Sequence, residues 1–367
     1  MILQGKGYFI QDLLECEGGD PASILAAAQA AGLSHVLVKI ADGIRAAGIN
    51  RSGQDIAAPV VQTLHSAGIA VWGWHPIQGR NTAAEAAIAI ARVQSLNLDG
   101  YVLEAKAAFK LPGMAAPARQ FMETIHDTLT VPVALSSYRF PDHHPQLPWS
   151  DLLKFCDLHM PQLYWEQAHN SVFQLIESMH QCDALPNARP YFPTGVTYGT
   201  STWKPSSAEL LAFMQAATAL GLPGVNFFNW ELCRTRLPAI WSAIADFVWP
   251  IPDPAAAMPA ADPATPAPFL EQFLAALNSC DPQSVVAFYD TDASQVWADQ
   301  IRSGAPAIQA GYAEFFNSMP NGLKFSLTRV QVENDAYIFA WLAGPLNGET
   351  TLVLKGGRIA LDYTFIT

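Results

Sequence analysis

The chain has 367 residues, of which 50% are hydrophobic and 14% are charged, so there is enough apolar material for a large core and a folded globular protein is expected. The formal net charge is −12 at pH 7, and acidic side chains outnumber basic ones both before and after residue 250. This balance argues against nucleic acid and anionic membrane as partners.

The N-terminal residues carry no pattern of a classical signal peptide. Met1–Gly7 leads directly into the strand-like Tyr8–Ile10, without a basic region, an apolar region and a cleavage site in succession. Apolar runs stay below the roughly 18 residues that suggest a membrane span. We therefore expect a cytoplasmic protein, or one that is delivered by a non-classical route or as part of a particle.

The cysteines show neither disulfide nor metal spacing. There are 5 of them, an odd number, and none forms a close CxxC pair: Cys16, Cys156, Cys182, Cys233 and Cys280. This favours reduced thiols in the core over disulfides or zinc ligands.

Strand-like and helix-like segments alternate from Gly7 to about Trp249 in eight rounds. The predicted strands are Tyr8–Leu14, His35–Ile40, Ala70–Trp74, Tyr101–Ala105, Val131–Tyr138, Leu158–Trp165, Arg189–Val196 and Val225–Asn229. The helices that follow them are Pro21–Ala31, Asp55–Ala67, Thr82–Leu96, Ala115–Leu129, Trp149–Cys156, Val172–Gln181, Ala208–Leu220 and Pro238–Val248. Apolar strands separated by helices predict a parallel sheet covered on its outer face, and eight units of this length predict a (β/α)₈ TIM barrel. The alternative, a doubly wound open sheet, would have a Gly-rich phosphate loop after its first strand, which is missing here.

A change of composition predicts two domains, 1–249 and 269–367. Residues 250–268 contain seven prolines and seven alanines, which is typical of an extended linker. Beyond them the pattern changes to helices and then consecutive strands, as in an α+β domain. The predicted helices are Phe269–Leu277, Pro282–Tyr289 and Ala305–Phe316, and the strands are Lys324–Glu333, Ala336–Leu342, Glu349–Lys355 and Arg358–Phe365. Hairpin turns are predicted at Asn347-Gly348 and Gly356-Gly357.

The stretch Asp99–Lys106 carries two opposite charges near the end of a buried strand. Because side chains alternate along a strand, Val102, Glu104 and Lys106 are expected on one face. Charges are rarely buried on such an element without a reason. The pair is therefore either part of a functional site or a structural ion pair that closes the strand.

Polar and aromatic residues recur at the carboxyl ends of the predicted strands, where the sites of (β/α)₈ barrels are built. Rings that stack on sugar CH faces, together with carboxylates and amides, suit a neutral, hydroxyl-rich ligand. The predicted ligand-binding residues are Lys39, Trp74, His75, Tyr138, Gln162, Tyr164 and Trp230, and other polar groups at these ends are Gln11, Asp12, Arg139, Glu166, Tyr198 and Asn229.

Glycoside hydrolysis needs two carboxyl groups across one bond. Glu104 with Asp42 or Glu231 is the predicted catalytic set, and each acid has an alternative use as a helix cap, loop or ion-pair residue. No metal or other cofactor is predicted, because neither His75 nor the pair His143-His144 stands at metal-binding spacing.

Several short motifs together resemble the glycoside-hydrolase TIM-barrel superfamily, and family-25 muramidase-like barrels in particular. They are Gly7-Tyr-Phe-Ile, His35-Val-Leu-Val-Lys-Ile-Ala-Asp-Gly43, Gly68-Ile-Ala-Val-Trp-Gly-Trp-His75, Tyr101-Val-Leu-Glu104 and Met160-Pro-Gln-Leu-Tyr-Trp165. The resemblance implies that Glu104 is the proton donor of the family's fourth-strand Asp-x-Glu. Val102 stands at the Asp of that motif, and the family's first-strand Asp falls near Phe9.

The C-terminal segment is similar to the NTF2-like or SnoaL-like fold, with Ala305–Phe316 resembling its third helix. Three functions remain open. The first is a glycoside hydrolase that acts on a polysaccharide or peptidoglycan-type glycan, with Glu104 as general acid. The second is a catalytically degenerate barrel that binds glycan or serves as an adaptor, with the NTF2-like domain as the module for oligomerisation or assembly. The third is Schiff-base chemistry on Lys39 or Lys106.

Overall fold

The computed structural model describes residues 3–250, 266–297, 300–319, 323–333 and 335–366. These residues form two compact units, of which the first contains a barrel and the second a six-stranded sheet. Of the predicted linker, residues 251–265 lie outside the described ranges. A helix already begins at Pro266, so the linker prediction is wrong for its last residues.

Eight parallel strands close into a barrel in the order β1-β8-β7-β6-β5-β4-β3-β2, which confirms the predicted (β/α)₈ architecture. The strands are β1 Gly5–Ile10, β2 His35–Lys39, β3 Ala70–Pro76, β4 Gly100–Glu104, β5 Val133–Tyr138, β6 Leu158–Leu163, β7 Thr194–Val196 and β8 Gly224–Phe228. A ribbon of two short strands, Ala41–Asp42 and Arg45–Ala46, follows β2 and was not predicted.

Helices connect the strands as the sequence pattern indicates. They are α1 Pro21–Ala30, α2 Ala57–Ser66, α3 Thr82–Leu96, α4 Ala115–Thr128, α5 Trp149–Leu153, α6 Ser171–Asp183, α7 Ser207–Ala219, α8 Trp230–Arg236 and α9 Pro238–Asp246. The start of α1 shows why they begin where they do: the Asp20 carboxylate accepts from the Ser23 backbone N–H at 2.8 Å, and Pro21 occupies the first helical position, where no N–H donor is needed.

The barrel is filled by side chains. Its buried interior holds Phe9, Leu37, Trp72, Trp74, Val102, Ala134, Leu158, Met160 and Phe192. The inward face of β4 carries Val102 and, at the carboxyl end, Glu104, as the period of two predicts. Gly100 is the first residue on the same face. Only glycine fits there, because a Cβ atom would lie 2.3 Å from ring carbons of Trp72. The carboxylate of Glu104 therefore stands on top of a close-packed apolar core.

Lys6, on β1, binds the C-terminal end of helix α9 on the outside of the barrel. It is only 2% exposed, and its ammonium donates to the carbonyl oxygens of Ile244 (2.6 Å), Ala245 (3.2 Å) and Phe247 (2.5 Å) at the end of α9. The last carbonyls of a helix have no partner within the helix. A residue of β1 thus supplies hydrogen-bond donors to the free carbonyl groups of the last barrel helix, which lies more than 230 residues away in sequence.

The C-terminal part of the second unit, from residue 266 onward, is an α+β domain, as predicted. Its helices are α10 Pro266–Ser279, α11 Pro282–Val286 and α12 Ala305–Ser318. Its sheet has the order β10-β9-β14-β13-β12-β11, with β9 and β14 parallel and the other neighbours antiparallel. The strands are β9 Tyr289–Trp297, β10 Gln300–Ser303, β11 Ser326–Glu333, β12 Ala336–Ala343, β13 Leu346–Lys355 and β14 Arg358–Ile366.

The sequence pattern predicted four of the six strands of this domain and one of its two proposed turns. The strands β9 and β10 were not predicted. The Gly356-Gly357 turn is confirmed, since both residues have positive φ between paired Lys355 and Arg358. The turn at Asn347-Gly348 is wrong: both residues lie in β13, and Gly348 is small because the ring of Trp341 and the carbonyl of Phe365 approach it.

A buried carboxylate, Asp362, lies in the core of the second unit. It is 1% exposed and is surrounded by donors from β9, α12 and β14. Around it pack the apolar side chains of all three helices and of the sheet.

Four of the five cysteines are buried thiols, as predicted, whereas Cys280 is exposed. None of the helices in the described ranges is long and apolar enough to cross a membrane.

Candidate functional site

Glu104 lies at the carboxyl end of β4, at the mouth of the barrel. Its Oε1 is 2.6 Å from Lys106 Nζ and accepts a 3.4 Å hydrogen bond from Gln162 Nε2. The same Gln162 amide donates to Ser136 Oγ at 3.0 Å. The predicted position of Glu104 at the end of β4 and its approach to Gln162 are confirmed, and the ion pair with Lys106 agrees with the alternative of a structural pair that closes the strand.

A cavity of about 310 Å³ opens beside this pair, and we call it the Tyr138 cavity. It is lined by side chains from the ends of β5 and β6 and from the loops after β4 and β5: Lys106, Tyr138, Arg139, Phe140, His143, His144, Gln162 and Tyr164. Three aromatic rings and several hydrogen-bond donors thus surround one space. Such a mixture can hold the apolar faces and the oxygen atoms of a sugar together.

Tyr164 lines the Tyr138 cavity and lies in the field of two carboxylates of the mouth. Burial of its hydroxyl raises the Tyr164 pKa well above the ordinary value, and the charges of Glu104, Tyr198 and Glu166 act in the same direction. The phenol therefore stays protonated and can both donate and accept a hydrogen bond. Glu166 itself accepts a hydrogen bond from the Tyr198 hydroxyl.

Lys39 and Asp42 line a different space. They form an ion pair at 2.8 Å in a cavity of about 270 Å³, the Asp42 cavity, between the loops that follow β1 and β2. Lys39 Nζ also lies 5.4 Å from the centre of the Trp74 ring, within cation–π range. The cavity is completed by Gln11 and Asp12. The predicted residues of the mouth are thus divided between two cavities.

Glu231 holds the loop after β1 in place. Its Oε1 accepts hydrogen bonds from the backbone N–H groups of Gln11 and Asp12, both at 2.7 Å, and the side chain is 5% exposed. Burial raises the pKa of Glu231, although the backbone hydrogen bonds oppose this shift. The geometry accounts for the carboxylate as a loop anchor, and its predicted catalytic role stays a prediction.

Three further predicted ligand-binding residues are buried beneath the surface of the mouth. Trp74 donates from Nε1 to the Ile10 carbonyl at 2.9 Å inside the barrel. His75 contacts the Tyr101 hydroxyl and the Gly43 carbonyl, and burial lowers its pKa to about 4. Trp230 is fully buried. These side chains support the walls and loops of the mouth and do not form its surface.

Lys110, Phe140 and His144 also belong to this site, and the sequence did not predict them there. Lys110 lies in a short 3₁₀ helix after β4, and His144 in the loop after β5. Only the fold brings them together, with Lys110 Nζ 3.0 Å from His144 Nδ1. The neighbouring residues His143-His144 were the available signal, and they were considered only as metal ligands. In the part of the chain that the structure describes, no three His, Cys, Asp or Glu side chains cluster as a metal site would require.

Comparison with known proteins identifies the second unit. Residues 270–366 match the family described as the SnoaL-like domain. An NTF-2 like protein from Burkholderia xenovorans LB400 is 17% identical over 28% of this chain and 81% of its own, with a TM-score of 0.25. A protein with a ketosteroid isomerase-like fold from Catenulispora acidiphila DSM 44928 is 18% identical over 28% of this chain and 85% of its own, with a TM-score of 0.25.

For the barrel, a chitinase from Chromobacterium violaceum ATCC 12472 is 10% identical, covers 66% of this chain and 98% of its own, and has a TM-score of 0.48. No curated protein matches this chain.

Proposed function

We propose that the mouth of the barrel binds a polysaccharide or peptidoglycan-type glycan. The observation that carries this proposal is the Tyr138 cavity, in which Tyr138, Phe140 and Tyr164 share one space with the Gln162 amide and lie next to Glu104. Aromatic rings stack on the CH faces of a pyranose while polar side chains bind its hydroxyl groups. The family-25 identity of the barrel stays a prediction.

Binding without turnover fits the carboxylates better than hydrolysis with a muramidase pair. Val102 and Phe9, which stand at the two acidic positions of the muramidase-like family, are buried in the apolar interior. Glu104 already holds Lys106 and Gln162, so it would have to release the ammonium before it could donate a proton. General-acid help without a second carboxylate supplies only about 10²–10⁴-fold.

One observation favours hydrolysis as the second candidate. The charges of Glu104 and Glu166 both raise the pKa of Tyr164, so two carboxylates act on one side chain that lines the cavity. An inverting enzyme needs its carboxyl groups about 6.5–9.5 Å apart, on opposite sides of the bond. In this case Glu166 would take the role that the sequence analysis gave to Asp42 or Glu231.

Tyr138→Ala is expected to lower the affinity for a bound glycan about tenfold, because the ring supplies a stacking surface of the cavity. Isothermal titration calorimetry with soluble chitin, cellulose and peptidoglycan oligosaccharides measures the effect. Phe155→Ala is the matched control, since Phe155 stacks on His126 before β6, at the other end of the barrel. Equal affinities of the wild type and Tyr138→Ala for every glycan that binds would remove the cavity from the proposal.

Glu104→Gln distinguishes binding from hydrolysis. It keeps the shape of the side chain and removes the charge, so we expect glycan affinity within about threefold of the wild type and no turnover by either protein. Reducing-end assays over the same glycan panel measure turnover. Hydrolysis by the wild type that Glu104→Gln and Glu166→Gln each abolish would establish the hydrolase instead.

A further inference from the structure

The Tyr138 cavity concentrates cations in a chain that is acidic overall. Lys106 and Arg139 line it, and Lys110 lies over the Tyr138 ring at 4.9 Å from its centre. Lys106 is paired with Glu104, which leaves two cations to be accounted for. The residue types at the strand ends predicted a neutral, hydroxyl-rich ligand, and these three cations favour a charged one instead.

Arg139 is half-buried without an ion-pair partner. Among the described residues, no carboxylate lies within ion-pair distance of its guanidinium, which instead lies 5.1 Å from the centre of the Phe140 ring. Glu166 acts on it only at longer range and is hydrogen-bonded to Tyr198. Burial lowers the pKa of Arg139, and the charges of Glu166 and Tyr198 only partly oppose this shift. A partly buried cation without a partner is costly, and an anion at this position would offset the cost.

Lys110 is a second cation beside this cavity for which no described residue supplies a carboxylate partner. Its ammonium donates to His144 Nδ1 at 3.0 Å, so the remaining proton of that imidazole lies on Nε2, which is a donor. Burial and the charges of Lys110, His143 and Arg139 lower the pKa of His144, which keeps the ring neutral at pH 7. The ring also packs against Tyr138 with 3.7 Å between centres.

We infer that the glycan bound in the Tyr138 cavity is acidic, and that the cavity takes a sugar unit bearing a carboxylate. This inference rests on the proposed function and names its ligand class. Arg139 has the planar fork that binds a carboxylate through two hydrogen bonds, and Lys110 adds a second positive charge. Tyr138, Phe140 and Tyr164 supply the surface for the ring of the same sugar. The carboxylate can belong to a uronic acid or to the lactyl ether of a muramic acid.

Two matched pairs of saccharides test the ligand class on the full chain. The first pair is a galacturonic acid tetramer and the same tetramer with every carboxyl group methyl-esterified. The second pair is N-acetylmuramic acid and N-acetylglucosamine, which differ by the lactyl carboxylate. We expect the acid of one pair to bind at least about tenfold more tightly than its neutral partner, and that pair identifies the source of the carboxylate.

Arg139→Gln is expected to abolish this preference, measured as the ratio of the affinity for the acid to that for its neutral partner, and Lys110→Gln to reduce it. Lys154→Gln is the matched control, because Lys154 is exposed before β6, at the other end of the barrel. Thermal unfolding of each variant verifies that it is folded. Should Arg139→Gln be unfolded, Lys110→Gln decides by itself whether the preference depends on these cations.

The other outcomes separate this inference from the proposed function. Equal binding of acid and neutral sugars overturns the acidic class and leaves glycan binding intact. Binding of none of these sugars or of the glycan panel overturns both. Competition by millimolar inorganic phosphate at the affinity of the acid sugar, with no contribution from the sugar ring, shows a simple anion site and overturns the inference.

Discussion

Replacing Asp362 by Asn is expected to destabilise the C-terminal domain by roughly 3–5 kcal/mol, because several buried donors share this acceptor and each one left unsatisfied costs about 1–3 kcal/mol. The Oδ2 atom of this buried carboxylate accepts four hydrogen bonds, from the Tyr289 hydroxyl (2.6 Å), the Gln295 amide (3.0 Å), the Trp297 indole (3.2 Å) and the Tyr312 hydroxyl (3.2 Å). Oδ1 accepts a fifth from Thr364 at 2.8 Å. An amide nitrogen in place of Oδ2 would face four donors with another donor, and one in place of Oδ1 would force the Thr364 hydroxyl to accept instead of donate.

The network also connects elements that are distant in sequence. Tyr289 and Gln295 come from β9, Tyr312 from α12 and Asp362 from β14. Burial raises the pKa of Asp362, and the hydrogen bonds from its neighbours oppose the shift. Donors that lose the carboxylate remain buried, and each unsatisfied one costs about 1–3 kcal/mol. We therefore expect the loss of stability to extend over the whole sheet.

Hydrogen exchange, measured by mass spectrometry on the full chain, separates the two units in this test. In Asp362→Asn, amides of β9, β13 and β14 should exchange at least about 100-fold faster, while the barrel strands keep their protection. Asp335→Asn is the control, since it makes the same change of charge at an exposed position of the same unit. Unchanged protection of β14 in Asp362→Asn would show that the carboxylate is not needed for stability.

The failure to predict β9 has the same physical origin as this network. The segment Tyr289–Trp297 is rich in polar residues because Gln295 binds the buried carboxylate and other positions are exposed. The segment therefore lacks the alternation of apolar and polar residues by which a half-buried strand is predicted. The barrel strands were predictable because both of their faces are covered, which leaves near-continuous apolar runs in the sequence.

The candidate site was predictable only in part for a related reason. Strand order and the side-chain period of two place Glu104 and Gln162 at one end of the barrel, so their approach follows from the fold class. The partners of Lys110 and Arg139 depend on how the loops after β4 and β5 fold back, which no periodic pattern encodes. For the same reason Glu231 reads from the sequence as a carboxylate of the mouth and is found anchoring a loop.

Lys6→Met should destabilise the barrel by roughly 2–4 kcal/mol at pH 7, because three carbonyl groups at the end of α9 lose their donor. Methionine fills a similar volume, so the change isolates the polar contacts. Lys154→Met, at an exposed position, is the control and should change the free energy of unfolding by less than about 0.5 kcal/mol. Urea unfolding of the full chain, followed together with hydrogen exchange of β1 and α9, measures the effect.

The pH dependence of the stability difference provides a second, independent test of the role of Lys6. Burial lowers the pKa of Lys6 in the folded protein to about 8, against 10.5 for the ordinary side chain, and the nearby Asp246 only partly opposes the shift. Between these two values the unfolded chain binds a proton that the folded chain has released, so the contribution of Lys6 to stability rises with pH. The difference in unfolding free energy between wild type and Lys6→Met should therefore widen from pH 8 to pH 10. Other groups that titrate in this range are present in both proteins and cancel in the difference. If this difference in unfolding free energy narrowed with rising pH, the folded protein would bind the Lys6 proton more tightly than the unfolded chain. The carbonyl groups of α9 would then stabilise the ammonium by more than its burial costs.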